Sequence, residues 1–359
     1  MTKINAYQFD KTLTAIKDII EKSQIEKQRK YLGMSIIGRQ CPRNLFYYYR
    51  QCAKIIIPIK NLLAIEDGYR QEDLMADRLR LLPGITLITE QDGKQIEFSD
   101  CDGHFCGHAD GMIKGILEAP ETWHVWEHKS VNEDKFNKLV NLRDELGEKS
   151  ALEKWDPEYY AQAQSYMNKA NVDRHFLTVS KPGGRDFISI RTELKKTEAK
   201  EIIKKAQSII FDNWTAPARI SDKREFYLCK WCDYQGICHD GDFPLVNCRT
   251  CRYNEPRENG TFYCLRKQNT VESFEPCAYH IYNPALIASE LVKHTDDGVV
   301  YNHHGIKWGN FEYAGFPTDE SISTFYSSKE LFKLGNINAI MPEKKAEKTT
   351  RKAWDNRLK

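Results

Sequence analysis

The chain has 359 residues, enough for one large domain with an appendage or for two of modest size. Apolar residues at 41% and charged residues at 29% describe an ordinary globular chain, which excludes a disordered or fibrous one. Lys and Arg total 53 against 51 Asp and Glu, so the formal charge of +2 excludes a molecule-wide pull on anions, and any nucleic-acid binding has to use local patches.

The opening residues carry acids and show no apolar core with a small-residue cleavage site, which argues against a secretory signal. No run approaches the roughly 20 apolar residues of a membrane helix. The expected setting is soluble and cytoplasmic. In chain order, Leu13, Ile16, Ile19 and Ile20 predict a helix within residues 1–32. A second is expected from Asp67 to Leu82, with Met75, Leu79 and Leu82 on one face and Pro83-Gly84 stopping it. From Ile85 to Lys129 the texture turns to short β runs, with His108–Leu117 and Thr122–Lys129 as two strands. Residues 133–170 read as helical, 175–180 and 186–192 as a hairpin around Pro182-Gly183-Gly184, and 194–213 as a further helix. The sum is a mixed α/β core of about 200 residues. Residues from 286 onward, including His303-His304 and Ile306–Gly309, match no motif and suggest an accessory region or partner surface. Seven Lys or Arg against three Asp or Glu over 343–359 suggest a solvated basic tail.

Two lines carry the chemistry: Gly107-His108-Ala109-Asp110-Gly111 and Trp126-Glu127-His128-Lys129. Residues two apart on a strand share a face, so Glu127 and Lys129 point one way and Trp126 and His128 the other. If the two strands pair as a hairpin, Asp110 comes beside Glu127, and His108 shares its face. Two carboxylates and one ammonium on a dry face are costly. A divalent cation such as Mg²⁺ or Mn²⁺ neutralises them and keeps open positions for phosphate. Upstream, Gly68-Tyr69-Arg70-Gln71-Glu72 places Glu72 beside an apolar helix stripe, and downstream Gln162 and Tyr166 stand one turn apart on one helix face.

In these four motifs, Gly68/Glu72, Gly107/Asp110, Glu127/Lys129 and Gln162/Tyr166, the sequence resembles the PD-(D/E)XK nuclease superfamily in its RecB-like branch. The resemblance covers about residues 30–240 and implies a central mixed β-sheet flanked by helices, the restriction-endonuclease-like core. It implies Asp110 and Glu127 as metal ligands with Glu72 near or on the metal, Lys129 as the catalytic lysine, and Gln162 and Tyr166 as residues that contact DNA or order the site. Glu72 stands where the branch often has histidine. Arg39, Arg43 and Arg50, interleaved with Phe46 and Tyr47–Tyr49, fit a wall for a DNA strand as well as they fit buried tyrosines beside solvated arginines.

Seven of the eleven cysteines fall between Cys229 and Cys277, which points to metal binding. Cys229, Cys232 and Cys238 offer three thiolates in one loop. Cys41, in Arg39-Gln40-Cys41-Pro42-Arg43, resembles the opening cysteine of iron–sulfur nucleases such as AddB-type domains and CRISPR-associated exonucleases, which implies a 4Fe–4S cluster closing the domain ends. Cys248, Cys251, Cys264 and Cys277 suit a four-cysteine zinc module, with His280 able to replace one. A rival partition joins Cys229, Cys232, Cys248 and Cys251. Cys52, Cys101 and Cys106 read as buried thiols. The expected organisation is a nuclease domain over 1–242, a zinc module over 243–285 and an accessory region over 286–359.

The expected activity is a metal-dependent DNA exonuclease acting on ends or single strands, in repair, recombination or mobile-element DNA processing. The alternative is a catalytically silent nucleic-acid-binding or assembly protein on the same scaffold. No G-x-x-x-x-G-K-[ST] occurs, so no ATP site is expected, and a separate helicase or recombination protein is the expected partner besides DNA.

Overall fold

The computed structural model describes residues 10–23, 29–312, 322 and 324–340; the basic tail at 343–359 lies outside them. The chain divides into two compact units. The first comprises residues 1–45, 55–210 and 258–260, and the second residues 46–54, 211–257 and 261–359. In chain order the elements are α1 (Lys11–Lys22), β1 (Leu32–Gly33), α2 (Pro42–Tyr49), α3 (Ile59–Arg80), β2 (Thr86–Ile88), β3 (Glu90–Gln91), β4 (Lys94–Asp100) and β5 (Phe105–Ala109). There follow β6 (Gly111–Lys114), β7 (His124–Ser130), α4 (Glu133–Leu146), α5 (Glu148–Trp155), α6 (Pro157–Ala170), β8 (Arg174–Ser180), β9 (Phe187–Glu193) and α7 (Lys196–Phe211). After α7 come α8 (Tyr227–Lys230), β10 (Asn254–Pro256), β11 (Phe262–Cys264), β12 (Asn269–Thr270), β13 (Glu290–His294), β14 (Gly298–His303), β15 (Ile306–Phe311), β16 (Thr324–Tyr326) and α9 (Ser328–Leu334).

The first unit is mixed α/β. A five-stranded sheet runs in the order β2-β6-β7-β8-β9, with β7 and β8 parallel and the other pairs antiparallel. A parallel pair cannot be closed by a tight turn, and α4, α5 and α6 supply the crossover between β7 and β8. A second sheet runs β1-β5-β4-β3. The sequence from His108 to Leu117, expected as one strand, is broken at Asp110: β5 belongs to the second sheet and β6 to the first. Helix α3 begins at Ile59, eight residues before the expected start, and packs Met75, Ala76 and Leu79 against Ile113, Trp126 and Phe176 of the five-stranded sheet. The residues expected as one helical stretch over 133–170 form three helices. Gly147 at φ 79° ends α4, and the next break falls at Asp156, whose side chain caps α6 by accepting from Glu158 N and Tyr159 N. Pro157 then occupies the first turn, where its missing N–H costs nothing.

The second unit has its own core, and this revises the expected boundaries. Phe243, Cys251, Tyr253, Ile281 and Tyr282 pack in one cluster with Val299, Tyr301, Trp308, Leu331 and Ile337, so 243–285 and 286–340 share an interior and are not separate modules. The expected boundary at 242 also moves, because Gly241 and Phe243 are tied by backbone hydrogen bonds to Ile337 and Gly335. The unassigned C-terminal residues form a four-stranded sheet, β13-β14-β15-β16, in which Trp308 is stacked on Tyr301.

Candidate active site

Asp110 sits at the point where the chain leaves one sheet for the other, and Gly111 pairs with Trp126 across β6 and β7. That register brings Asp110 to the E-x-K strand. His128 N donates to Asp110 Oδ2 at 2.7 Å, and Asp110 N approaches Glu127 Oε1 at 3.4 Å. Lys129 Nζ donates to Glu127 Oε2 at 2.6 Å and lies 3.8 Å from Asp110 Oδ2. On the opposite face of β7, Trp126 Nε1 donates to Thr178 Oγ1, and His128 bonds the hydroxyls of Thr178 and Ser180 on β8. The alternation of the strand thus separates a charged face from a buried polar layer.

Gln162 and Tyr166 stand behind the acids on α6. Gln162 Nε2 donates to Glu127 Oε2 at 3.2 Å and to Tyr166 Oη at 3.1 Å, and Tyr166 Oη donates to the His108 carbonyl at 2.9 Å. They are only 5% and 1% exposed, and their hydrogen bonds run to Glu127, to each other and to the His108 carbonyl. Gly107 makes room for this helix, because a Cβ there would stand 2.8 Å from Tyr166 Oη. Gly68 has no such duty, since a Cβ there would meet nothing within 4 Å.

Glu72, on α3, lines with Asp110, Asp73, Tyr69, Arg80 and Trp126 a cavity of about 420 Å³. Burial and the neighbouring Asp110 carboxylate push its acid up to about 7. Burial raises Asp110 and Glu127 as well, the latter helped by Asp110. Burial alone would lower Lys129, but Glu127 and Asp110 on either side hold it well above its ordinary value, so it stays an ammonium. Once all three carboxylates are ionised, a state that cation binding would favour, the one ammonium facing them leaves two negative charges, which a divalent cation would match. The donors are all oxygens, the set that Mg²⁺ and Mn²⁺ prefer. The fit is chemical: among the described residues, no group of three or more His, Cys, Asp or Glu stands ready as a metal cage.

His108 does not join this group; its ring lies 3.7 Å from Glu97 and beside Tyr31. Of the two readings open for residues 39–50, most of the aromatics follow the buried one, while Arg50 is buried instead of solvated. Phe46, Tyr47, Tyr49 and Arg50 are buried, and Arg50 lies over the Phe46 ring while donating to Asn213 Oδ1 and the Asp212 carbonyl. Arg43 is half-buried, and Arg39 donates to Asn44 Oδ1. One neighbour of the site went unread in the sequence: the Tyr159 ring, 5.6 Å from Lys129 Nζ. Its signal was present, since Tyr159, Gln162 and Tyr166 follow the i, i+3, i+7 spacing of one helix face. Cys41 belongs to the first unit and Cys229, Cys232 and Cys238 to the second. Cys52, Cys101 and Cys106 are buried free thiols; burial, the main cause, pushes Cys52 and Cys101 up to about 12.

No family model matches the chain, and no curated protein does. Among solved structures, it is similar to LHK-Exo in complex with dAMP at 14% identity and a TM-score of 0.36, over 51% of this chain and 87% of that one. The alkaline exonuclease LHK-Exo from Laribacter hongkongensis, in a second structure, gives 14% and 0.35 over 50% and 86%. A phage related exonuclease from Haemophilus somnus 129PT gives 14% and 0.29 over 41% and 68%. Among the described residues no helix is long and apolar enough to cross a membrane.

Proposed function

We propose that the chain is a metal-dependent DNA nuclease of the PD-(D/E)XK kind, acting as an exonuclease on ends or single strands. One observation carries the reading: Asp110, Glu127 and Lys129 meet at a break between two sheets, with Gln162 bonded to Glu127 from behind. Asp110 and Glu127, with Glu72 beside them, would hold Mg²⁺ or Mn²⁺. Such a cation, when bound, polarises a phosphoryl oxygen and acidifies a water.

The chain's own residues do the rest. Gln162 fixes the Glu127 carboxylate through Oε2, and the His128 backbone N–H fixes Asp110 through Oδ2. Lys129, kept protonated by its two acids, offers N–H donors to charge growing on a phosphate oxygen. The RecB-like resemblance adds two further proposals, an iron–sulfur cluster on Cys41, Cys229, Cys232 and Cys238, and a separate helicase or recombination partner. Iron and labile sulfide per chain test the first.

The activity test is end-labelled single- and double-stranded DNA with Mg²⁺ or Mn²⁺. Degradation is expected, and Lys129→Ala and Asp110→Ala should each lower it at least about 10²-fold. Unchanged degradation in both variants would remove the site assignment, and DNA binding without cleavage would favour a silent scaffold.

A further inference from the structure

The cysteines of the second unit lie outside the nuclease site and ask for a reading of their own. Cys248 to Thr250 form a tight turn capped by Asn247, whose side chain accepts from Arg249 N and Thr250 N, and Cys251 N closes the turn on the Cys248 carbonyl at 3.2 Å. His280 backs this turn by bonding the Asn247 carbonyl through Nε2 at 2.9 Å. In the β10–β11 pair Asn254 stands opposite Cys264, and Leu265 N donates to the Tyr253 carbonyl, so Cys264 returns to the C-x-x-C turn. The fourth thiol is brought in from the other side. Cys248 N donates to the Phe274 carbonyl at 2.9 Å, and Cys248 Sγ lies 3.3 Å from the Glu275 carbonyl, two residues before Cys277.

A backbone donor faces one of the sulfurs: Lys267 N points to Cys264 Sγ at 3.4 Å. Cys248 lies within electrostatic reach of Cys277 and Cys264, and Cys251 of Cys248 and Cys264. From Leu265 to Tyr279 no side chain is buried; the stretch is held by the Arg266–Glu312 fork, the β11–β12 pair, Val271 N on the Phe262 carbonyl and the Phe274 ring against Phe262. Ordering that stretch costs conformational entropy that its own packing does little to offset.

We propose that Cys248, Cys251, Cys264 and Cys277 bind one zinc ion as a structural four-thiolate site that clamps the exposed 265–279 stretch onto the capped turn. Zinc suits four thiolates because it is tetrahedral and redox-inert. The side chains do not yet stand as a closed cage, so coordination requires rotation, for which half-exposed Cys248, Cys264 and Cys277 have room.

The test is the metal content of the full chain purified under reducing conditions, with zinc and iron measured together. About one zinc per chain is expected, released by a thiol-specific mercurial. Added Co²⁺ should give the intense visible bands of tetrahedral thiolate coordination. Cys264→Ser and Cys277→Ser should each weaken zinc retention against a chelator at least tenfold, while Cys52→Ser leaves it unchanged. Chelation should speed proteolytic cleavage within 265–279. Absence of zinc from the parent chain overturns the proposal, as does iron at this stoichiometry lost with Cys264. Zinc kept in Cys264→Ser and Cys277→Ser but lost in Cys229→Ser and Cys232→Ser also overturns it and assigns the rival partition. None of these readouts depends on nuclease activity.

Discussion

Gly107→Ala is the smallest change that should reach the acids, although residue 107 touches none of them. The added methyl would stand 2.8 Å from Tyr166 Oη and 2.9 Å from Met34 Cβ. Neither neighbour has anywhere to go, since Tyr166 is 1% and Met34 0% exposed. Overpacking of this kind costs about 1–3 kcal/mol, and the stiffer unfolded chain returns about 0.4–1. The net expectation is a loss of about 1–2 kcal/mol. Displacement of Tyr166 should also loosen its bonds to the His108 carbonyl and Gln162, and through Gln162 the carboxylate of Glu127. Equilibrium urea denaturation measures the first effect, read on the earliest transition because two compact units need not unfold together. Cleavage of labelled DNA measures the second. Combining the change with Tyr166→Leu should give a coupling of at least about 1 kcal/mol, because the methyl then has space. A variant within about 0.5 kcal/mol of the parent, with undiminished cleavage, would show that Tyr166 does not pack as described and does not hold the site.

Lys129→Met removes the one ammonium among Asp110, Glu127 and Glu72, and should cost about 3–5 kcal/mol at pH 8 without divalent cations. Mg²⁺ should then raise the melting temperature of the variant more than that of the parent, since the charge left to neutralise has grown; an equal or smaller shift would refute the charge count. His175 is buried, neither ring nitrogen has a hydrogen-bond partner among the described residues, and burial lowers it from 6.5 to about 3. The unfolded chain therefore binds a proton that the folded chain refuses between these values. Stability should fall by up to about 1.4 kcal/mol per unit as pH drops from 6.5 towards 3. His175→Leu should flatten that slope in acid-titration melts; a slope unchanged from the parent would show that His175 is not its source.

Local chemistry made part of the molecule legible. Pro83-Gly84 marks the end of α3 to within a few residues, Pro182-Gly183-Gly184 turns β8 into β9, and the period of two along β7 separates Glu127 and Lys129 from Trp126 and His128. These features depend on neighbours in sequence, whose dihedral preferences and side-chain alternation act over a few residues. The break at Asp110 was not legible, because nothing in Ala109-Asp110-Gly111 says that the strands on either side join different sheets. The arginine–aromatic run at 39–50 has the composition of a binding wall, yet burial of Phe46, Tyr47, Tyr49 and Arg50 is decided by partners distant in sequence, such as Asn213. The shared core of 243–285 with the C-terminal strands is likewise a matter of long-range packing. The sequence by itself determined which residues carry charge, thiol and turn chemistry, and at what spacing. Only the tertiary structure decided which of them meet, because pairing between distant segments is set by whichever arrangement buries the most apolar surface with its polar groups satisfied.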